Sequence, residues 1–362
     1  MIKRLNKRSN QGFSLIELML ALGLGVVVTA GIVQLFVGNS ETYTLLNGQA
    51  RMQEGGRFAL DFISRSARTA GYIGCDPDPD KVYNTLNGNW NQVFEFDITQ
   101  PIQAFHGINI GNAVTDWTPA LTPLPRTSGG TTVNAAVDGN GIDIATLKPQ
   151  TDILVLRHVE IPGARTASII QPGANPVVQG AANLNFGVND FVLLSNCEQA
   201  VLFKITAMTI AGTDATLTRG SGAGIFENDA GATLSEEGIP YGEANNGQGS
   251  SVGRVLTDIY FIAQGSGTNN RGETPWSLWR KVSSDAPVEL VEGVEDLKVL
   301  FGIDNTNNNI NAANRYVTFD QVGTNAVRAL RVTITANSVD AVTNNDQKLV
   351  RTFSQTINFR NG

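Results

Sequence analysis

Gly12-Phe13-Ser14-Leu15-Ile16-Glu17-Leu18-Met19, continuing as LALGLGVVVTAGIVQLFVG to Gly38, decides how the rest of the chain is read. From Phe13 to Gly38 the only charge is Glu17, and an apolar run longer than about 18 residues reads as a membrane-spanning helix. The residues before it contain Lys3, Arg4, Lys7 and Arg8 and no acid, which keeps the N-terminus cytoplasmic and sends the remainder across the membrane. A cleavable secretory signal would have an apolar region of only about 7 to 15 residues and a small-residue cleavage site after it. A plain anchor leaves Glu17 unexplained, because an ionised carboxylate in a bilayer costs ~2.5 kcal/mol or more and needs a partner.

Beyond Gly38 the pattern turns amphipathic. Tyr43, Leu46, Ala50, Phe58, Phe62 and Ala67 approximate helical spacing among Arg51, Glu54, Arg57, Asp61, Arg65 and Arg68, and no proline occurs before Pro77. Helix is expected from Phe13 to Ala70, about 87 Å at 1.5 Å per residue. Gly48 and Gly55-Gly56 each cost ~1 kcal/mol relative to alanine, so a bend or local melting is expected there. Ala21 and Gly25 suit either close helix contact or a lipid-facing surface.

From Gly71 the helical period gives way to short β-rich runs separated by Gly, Asn, Pro and Asp. Strands are expected at 152–159, 190–194, 201–208, 213–218, 258–263, 277–282, 297–303, 330–336 and 353–359. LRVTITA, 330–336, alternates strictly, with one face buried and the other wet. Residues 90–142 and 245–257 read as surface excursions. The expected organisation is α+β: residues 1–12 a basic leader, 13–70 a long N-terminal helix, and 71–362 a head built on an antiparallel sheet, with two subdomains divided near 220–247 as the alternative.

Composition excludes several functions. The formal charge is −7, and removing residues 1–12 would make it −11; nucleic-acid binding by phosphate neutralisation needs a basic surface instead. At 41% apolar and 16% charged the chain is not intrinsically disordered. His106 and His158 are the only histidines, with no ligand set around either, so no metal, cofactor or catalytic residue is expected. Asp76-Pro77-Asp78-Pro79-Asp80 reads as a solvated turn, with weak calcium binding by the same stretch as the alternative. Asp304-Asn305-Thr306-Asn307-Asn308-Asn309 lacks the turn glycine of a calcium loop and has Arg315 where the bidentate Glu belongs. Gly220-Ser221-Gly222-Ala223-Gly224 is not followed by the Gly-Lys-Ser/Thr of a phosphate loop. Trp276 and Trp279 are either packing residues or a binding platform.

The segment Gly12 to Met19 resembles the processing motif of type IV pilins and type II secretion pseudopilins. The resemblance implies a pilin-like fold, cleavage between Gly12 and Phe13 by a prepilin peptidase, N-methylation of Phe13, and retention of the apolar helix within a filament. It gives Glu17 a role: paired with the Phe13 amine of an adjacent subunit it checks register during assembly, because a buried unpaired charge costs several kcal/mol. Pro275-Trp276-Ser277-Leu278-Trp279-Arg280, Glu289 to Leu297, Ala326 to Val332, Gly74-Cys75 and Asn196 to Ala200 are similar to the PilW family of minor pilins. That implies a single-pass inner-membrane protein held in lipid by residues 13–38, with a periplasmic head. Its implied partners are other minor pilins, the major pilin and the inner-membrane assembly platform, and its implied task is to prime or cap the pilus at its tip. Minor pseudopilins of the J kind share the ELVEGV-type block and give the neighbouring reading; a tip-displayed adhesin is the reading from another class. In an oxidising periplasm Cys75 and Cys197 are expected to pair, with two separate buried thiols as the alternative.

Overall fold

The computed structural model describes residues 12–74, 81–108, 113–128, 131–133, 140–160, 163–235, 241, 249–305, 313–342 and 347–359. The leader with Lys3, Arg4, Lys7 and Arg8, the segment from Cys75 to Asp80, and Thr306 to Asn309 lie outside them.

One helix, Leu15–Thr69, runs 55 residues, about 82 Å at the helical rise. Ser14 caps it, its Oγ accepting the Glu17 N–H at 3.2 Å. At the other end Ala70 N–H returns to Ser66 O, and Gly71 at φ 77° turns the chain away. The local melting expected at the glycines as one outcome does not occur: the helix runs uninterrupted through Gly48 and Gly55-Gly56. These glycines lie under the head: a Cβ on Gly48 would stand 2.8 Å from Val342 Cγ1, and one on Gly56 would collide with the Phe353 ring. The weak helix formers are where backbone and sheet approach most closely, and tertiary packing outweighs their propensity cost.

The helix lies against a four-stranded antiparallel sheet ordered Arg315–Val317, Val294–Asp304, Ala326–Asn337, Val350–Asn358. The expected alternation is present: Leu330, Val332 and Ile334 are fully buried, while Arg331, Thr333 and Thr335 occupy the opposite face. A ten-stranded sheet forms the rest of the scaffold. Its organiser is Ser251–Gln264, a 14-residue strand. On one side it pairs first with Phe191–Ser195 and then with Trp276–Val282. On the other it pairs with Ala164–Arg165 and then Ile153–Val159. Ala59, Ile63 and Ala67 of the helix share one core with Leu297, Val299, Val332 and Ile334 of the small sheet and Leu154, Leu156, Tyr260 and Ile262 of the large one. The Ser66 Oγ and Tyr260 OH groups, 2.8 Å apart, hydrogen-bond across it.

Three expectations are corrected. Residues 201–208 are not one strand: Ala200–Lys204 ends in the large sheet, and Ala207–Ala211 starts a separate three-stranded sheet with Asp214–Thr218 and Val177–Gln179. Residues 90–142 are not a surface excursion, since Phe94, Phe105, Trp117, Leu121 and Leu124 are buried in a core of their own. Within 245–257, Ser251 to Thr257 is strand, and Gly253 sits where a Cβ would strike Val159. That strand joins both halves of the large sheet, and its hydrogen bonds cross the division near 220–247 that was the alternative to a single head.

Candidate functional site: the exposed anchor and its junction with the head

From Phe13 to Val37 every residue is exposed and none touches the head; Phe13 itself is 86% exposed and Ile16 69%. This helix is long and apolar enough to cross a membrane. Its hydroxyls are internally satisfied, Thr29 Oγ1 donating to Gly25 O at 2.7 Å. Glu17 is the acid of the first turn, where the helix dipole favours negative charge. Its backbone N–H is held by Ser14, while its carboxylate has no cationic partner among the described residues. Lys, Arg and amine groups are absent from the whole stretch between Phe13 and Arg51, so a counter-charge for Glu17 has to come from outside the helix. Ala21 and Gly25 line a shallow apolar face with Leu18, Leu22, Val26, Thr29 and Val33.

Contact with the head begins at Gly48 and Met52. Arg51 reaches towards Asp340 at 3.9 Å, and Asp61 pairs with Arg65 at 2.7 Å within the helix. Gln355 Nε2 donates to Ser64 Oγ at 3.4 Å.

Cys197 lies in the turn between Phe191–Ser195 and Ala200–Lys204. Asn196 Oδ1 shapes that turn, accepting from the N–H groups of Glu198 and Gln199 at 2.9 and 2.8 Å. Cys197 is disulfide-bonded. Cys75 lies outside the described residues, but Gly74 before it, at φ 100°, is packed against the Ser195 side chain.

Sequence reasoning missed the polar junction between the two sheets, because its members are far apart in the chain. His106 stands in the strand Ile102–Gly107, not in the expected loop, and its Nδ1 is 2.7 Å from Asp152 Oδ1. Asp152 is almost fully buried, and its other oxygen accepts the Val299 N–H at 2.8 Å. Its own N–H donates to Leu297 O at 2.9 Å. Asp152 thus fastens the start of the Ile153–Val159 strand to the small sheet, and Lys298 approaches it at 3.6 Å. The hydrogen bond to Asp152 holds the His106 pKa above its ordinary value. Burial raises Asp296 and lowers Lys148 beside it. A cleft of about 500 Å³ opens there between Lys148, Gln150, Glu295, Asp296 and Thr335.

His158 is largely buried, which pushes its pKa down, and its Nδ1 has no hydrogen-bond partner among the described residues. Two further buried cations serve packing. Arg157 donates to Phe94 O, Gln100 O and Gln103 Oε1 at 2.9, 2.6 and 3.2 Å. Lys281 and Glu95 form a wholly buried ion pair at 3.0 Å. These bonds hold the 90–103 segment onto the large sheet. Trp276 and Trp279 do not form one platform: Trp276 packs on the helix-side core and Trp279 on the opposite one. Among the described residues no group of three or more His, Cys, Asp or Glu side chains could hold a metal ion.

Two family models match the chain. Residues 7–33 match the prokaryotic N-terminal methylation motif, bracketing Gly12-Phe13 and Glu17. Residues 259–361 match the Type IV Pilus-assembly protein W family; they start within the Ser251–Gln264 strand and take in Trp276–Val282 and the whole four-stranded sheet. No curated protein and no solved structure matches. Matched at its anchor and over the last part of its head, the chain is PilW-like: a type IV pilus-related pilin with one long apolar N-terminal helix and a mostly β-sheet head.

Proposed function

We propose that this chain is a minor pilin that primes or caps type IV pilus assembly, within a tip complex of minor pilins on which the major pilin polymerises. The observation that carries the reading is the N-terminal half of the helix. Its apolar surface is uncovered by the head, and its single acid has no cationic partner among the described residues, which suits a segment completed by lipid and then by neighbouring helices. In this reading residues 1–12 are a leader removed by the prepilin peptidase between Gly12 and Phe13, with Lys3, Arg4, Lys7 and Arg8 setting its topology. Phe13 is then N-methylated, residues 13–70 are the anchor and spine, and 71–362 form the periplasmic head. The freed amine of Phe13 on an adjacent subunit neutralises Glu17. Cys75 pairs with Cys197, which the passage of Gly74 beside Ser195 supports.

A deletion strain scored for surface pili, with and without retraction, tests the reading. Loss of pili that return when retraction is disabled is the expected result, and identifies a promoter of initiation. Unaltered piliation with loss of protein export would overturn it in favour of a type II secretion pseudopilin. Replacing Gly12 by a bulky residue should leave slower-migrating precursor on a gel, whereas Gly12→Ala should be processed.

A further inference from the structure

The strand Val350–Asn358 is an outer strand of the small sheet. Its nine residues pair in unbroken register with Ala326–Asn337, and no strand pairs with its other edge among the described residues. Natural edges of this kind are guarded by Pro, inward-pointing charge, a bulge or shortness. VRTFSQTIN has no proline, no lysine and no register shift. Its one charge, Arg351, lies over the Phe353 ring at 5.4 Å.

A second observation is independent of the strand's own pairing. Beyond this edge, between it and the helix, lies a groove of about 740 Å³ whose lining includes Ala50, Glu54, Arg57, Phe58, Leu60 and Gln355. On the other face the outer strand carries Thr352, Ser354 and Thr356, continuing a hydroxyl array in which Thr333 and Ser354 are 3.0 Å apart. A further strand, added about 4.8 Å away, would put alternate side chains into the groove and the others in line with the hydroxyls.

We propose that this edge binds an extended segment of a different polypeptide by β-augmentation, with main-chain hydrogen bonds giving affinity and the groove receiving apolar side chains at alternate positions against Phe58 and Leu60. The helix decides against a second copy paired antiparallel. Gly48 meets Val342 and Ser338, Gly56 meets Phe353, and Ser64 meets Gln355, so helix and strand run side by side in the same sense. Antiparallel pairing of two identical edges is generated by a two-fold axis normal to the sheet. That axis would reverse the second helix, and the two anchors could not enter one membrane from the same side.

The inference rests on the anchored-pilin reading, and the experiment separates the two. A photo-crosslinking benzoylphenylalanine is placed at Thr352, Ser354 or Thr356 of the full-length chain in piliated cells, with a probe at Tyr43, exposed and outside the groove, to report the neighbours of the helix. Sheared filaments are blotted for the chain in each strain. Adducts from all three strand positions are expected on one short segment of another protein, the contact shifting by two residues with each step of the probe. In the assembled state alternate amides of 350–358 should exchange at least about tenfold more slowly than in the chain purified alone. Absence of adducts from all three positions while Tyr43 still crosslinks would overturn the proposal. So would adducts scattered over unrelated peptides or confined to this chain's own copies. Loss of the chain from filaments without its strand adducts changing would instead count against the pilin reading.

Discussion

Among the described residues Glu17 gains only a capped backbone N–H, and in the proposed reading its cost is recovered between subunits. Glu17→Ala is expected to leave processing and membrane insertion intact while the amount in sheared filaments falls by about tenfold or more, given several kcal/mol for an unmatched buried charge; a blot of membrane and filament fractions measures both. The two histidines give the head a pH optimum. His106 has a raised pKa in the folded state, so its contribution is fully present below the unfolded value of about 6.5 and is lost as pH rises through the folded one. His158 has a lowered pKa, so its contribution is fully present above about 6.5 and is lost as pH falls through that value towards the folded one. Melting temperature against pH should therefore pass through a maximum close to 6.5. His106→Gln should flatten the alkaline side and His158→Gln the acid side, as thermal melts from pH 5 to 8 would show.

At the scale of elements, the glycines of the helix divide by what faces them. Gly56→Ala should destabilise the head by ~1 to 3 kcal/mol, since the added methyl collides with Phe353 in a packed junction. Gly25→Ala, with nothing within 4 Å, should leave head stability unchanged. Denaturant titration of the three proteins in the same detergent compares them. The helix, the apolar anchor and the alternating strand 330–336 were legible because each repeats a period over many residues. The packing of 90–142 was not legible: Phe94, Phe105, Trp117 and Leu121 are irregularly spaced, and their burial is set by strands distant in sequence. Ser251 to Thr257 was hidden by Gly253, which looks like a break but is a close approach. The methylation motif was readable because Gly12, Phe13 and Glu17 stand within one local stretch. The clasp of His106 on Asp152 was not, since nothing local marks two residues 46 apart.

Across the whole molecule, the large and small sheets and the helix share one core, and Cys197 lies at the far end of the large sheet from the Asp152 clasp. If the bridge closes a loop of about 120 residues from Cys75, the chain-entropy argument gives roughly 4 to 5 kcal/mol. Reduction should then lower the melting temperature of the wild type and leave a Cys75→Ser, Cys197→Ser variant unaffected. Mass mapping of non-reduced peptides identifies the pair directly.

The absence of a break in the 55-residue helix has a mechanical meaning. Its distal half packs on the head from Gly48 to Ala67 and continues without interruption into the apolar half, so no loop acts as a swivel between the two. Any rotation imposed on the anchor turns the head through the same angle, and any pull that draws the anchor out of the bilayer raises the head by the same distance. The head is therefore held to the apolar half as a pointer is fixed to its shaft, and the edge proposed for docking takes its height and direction from that shaft.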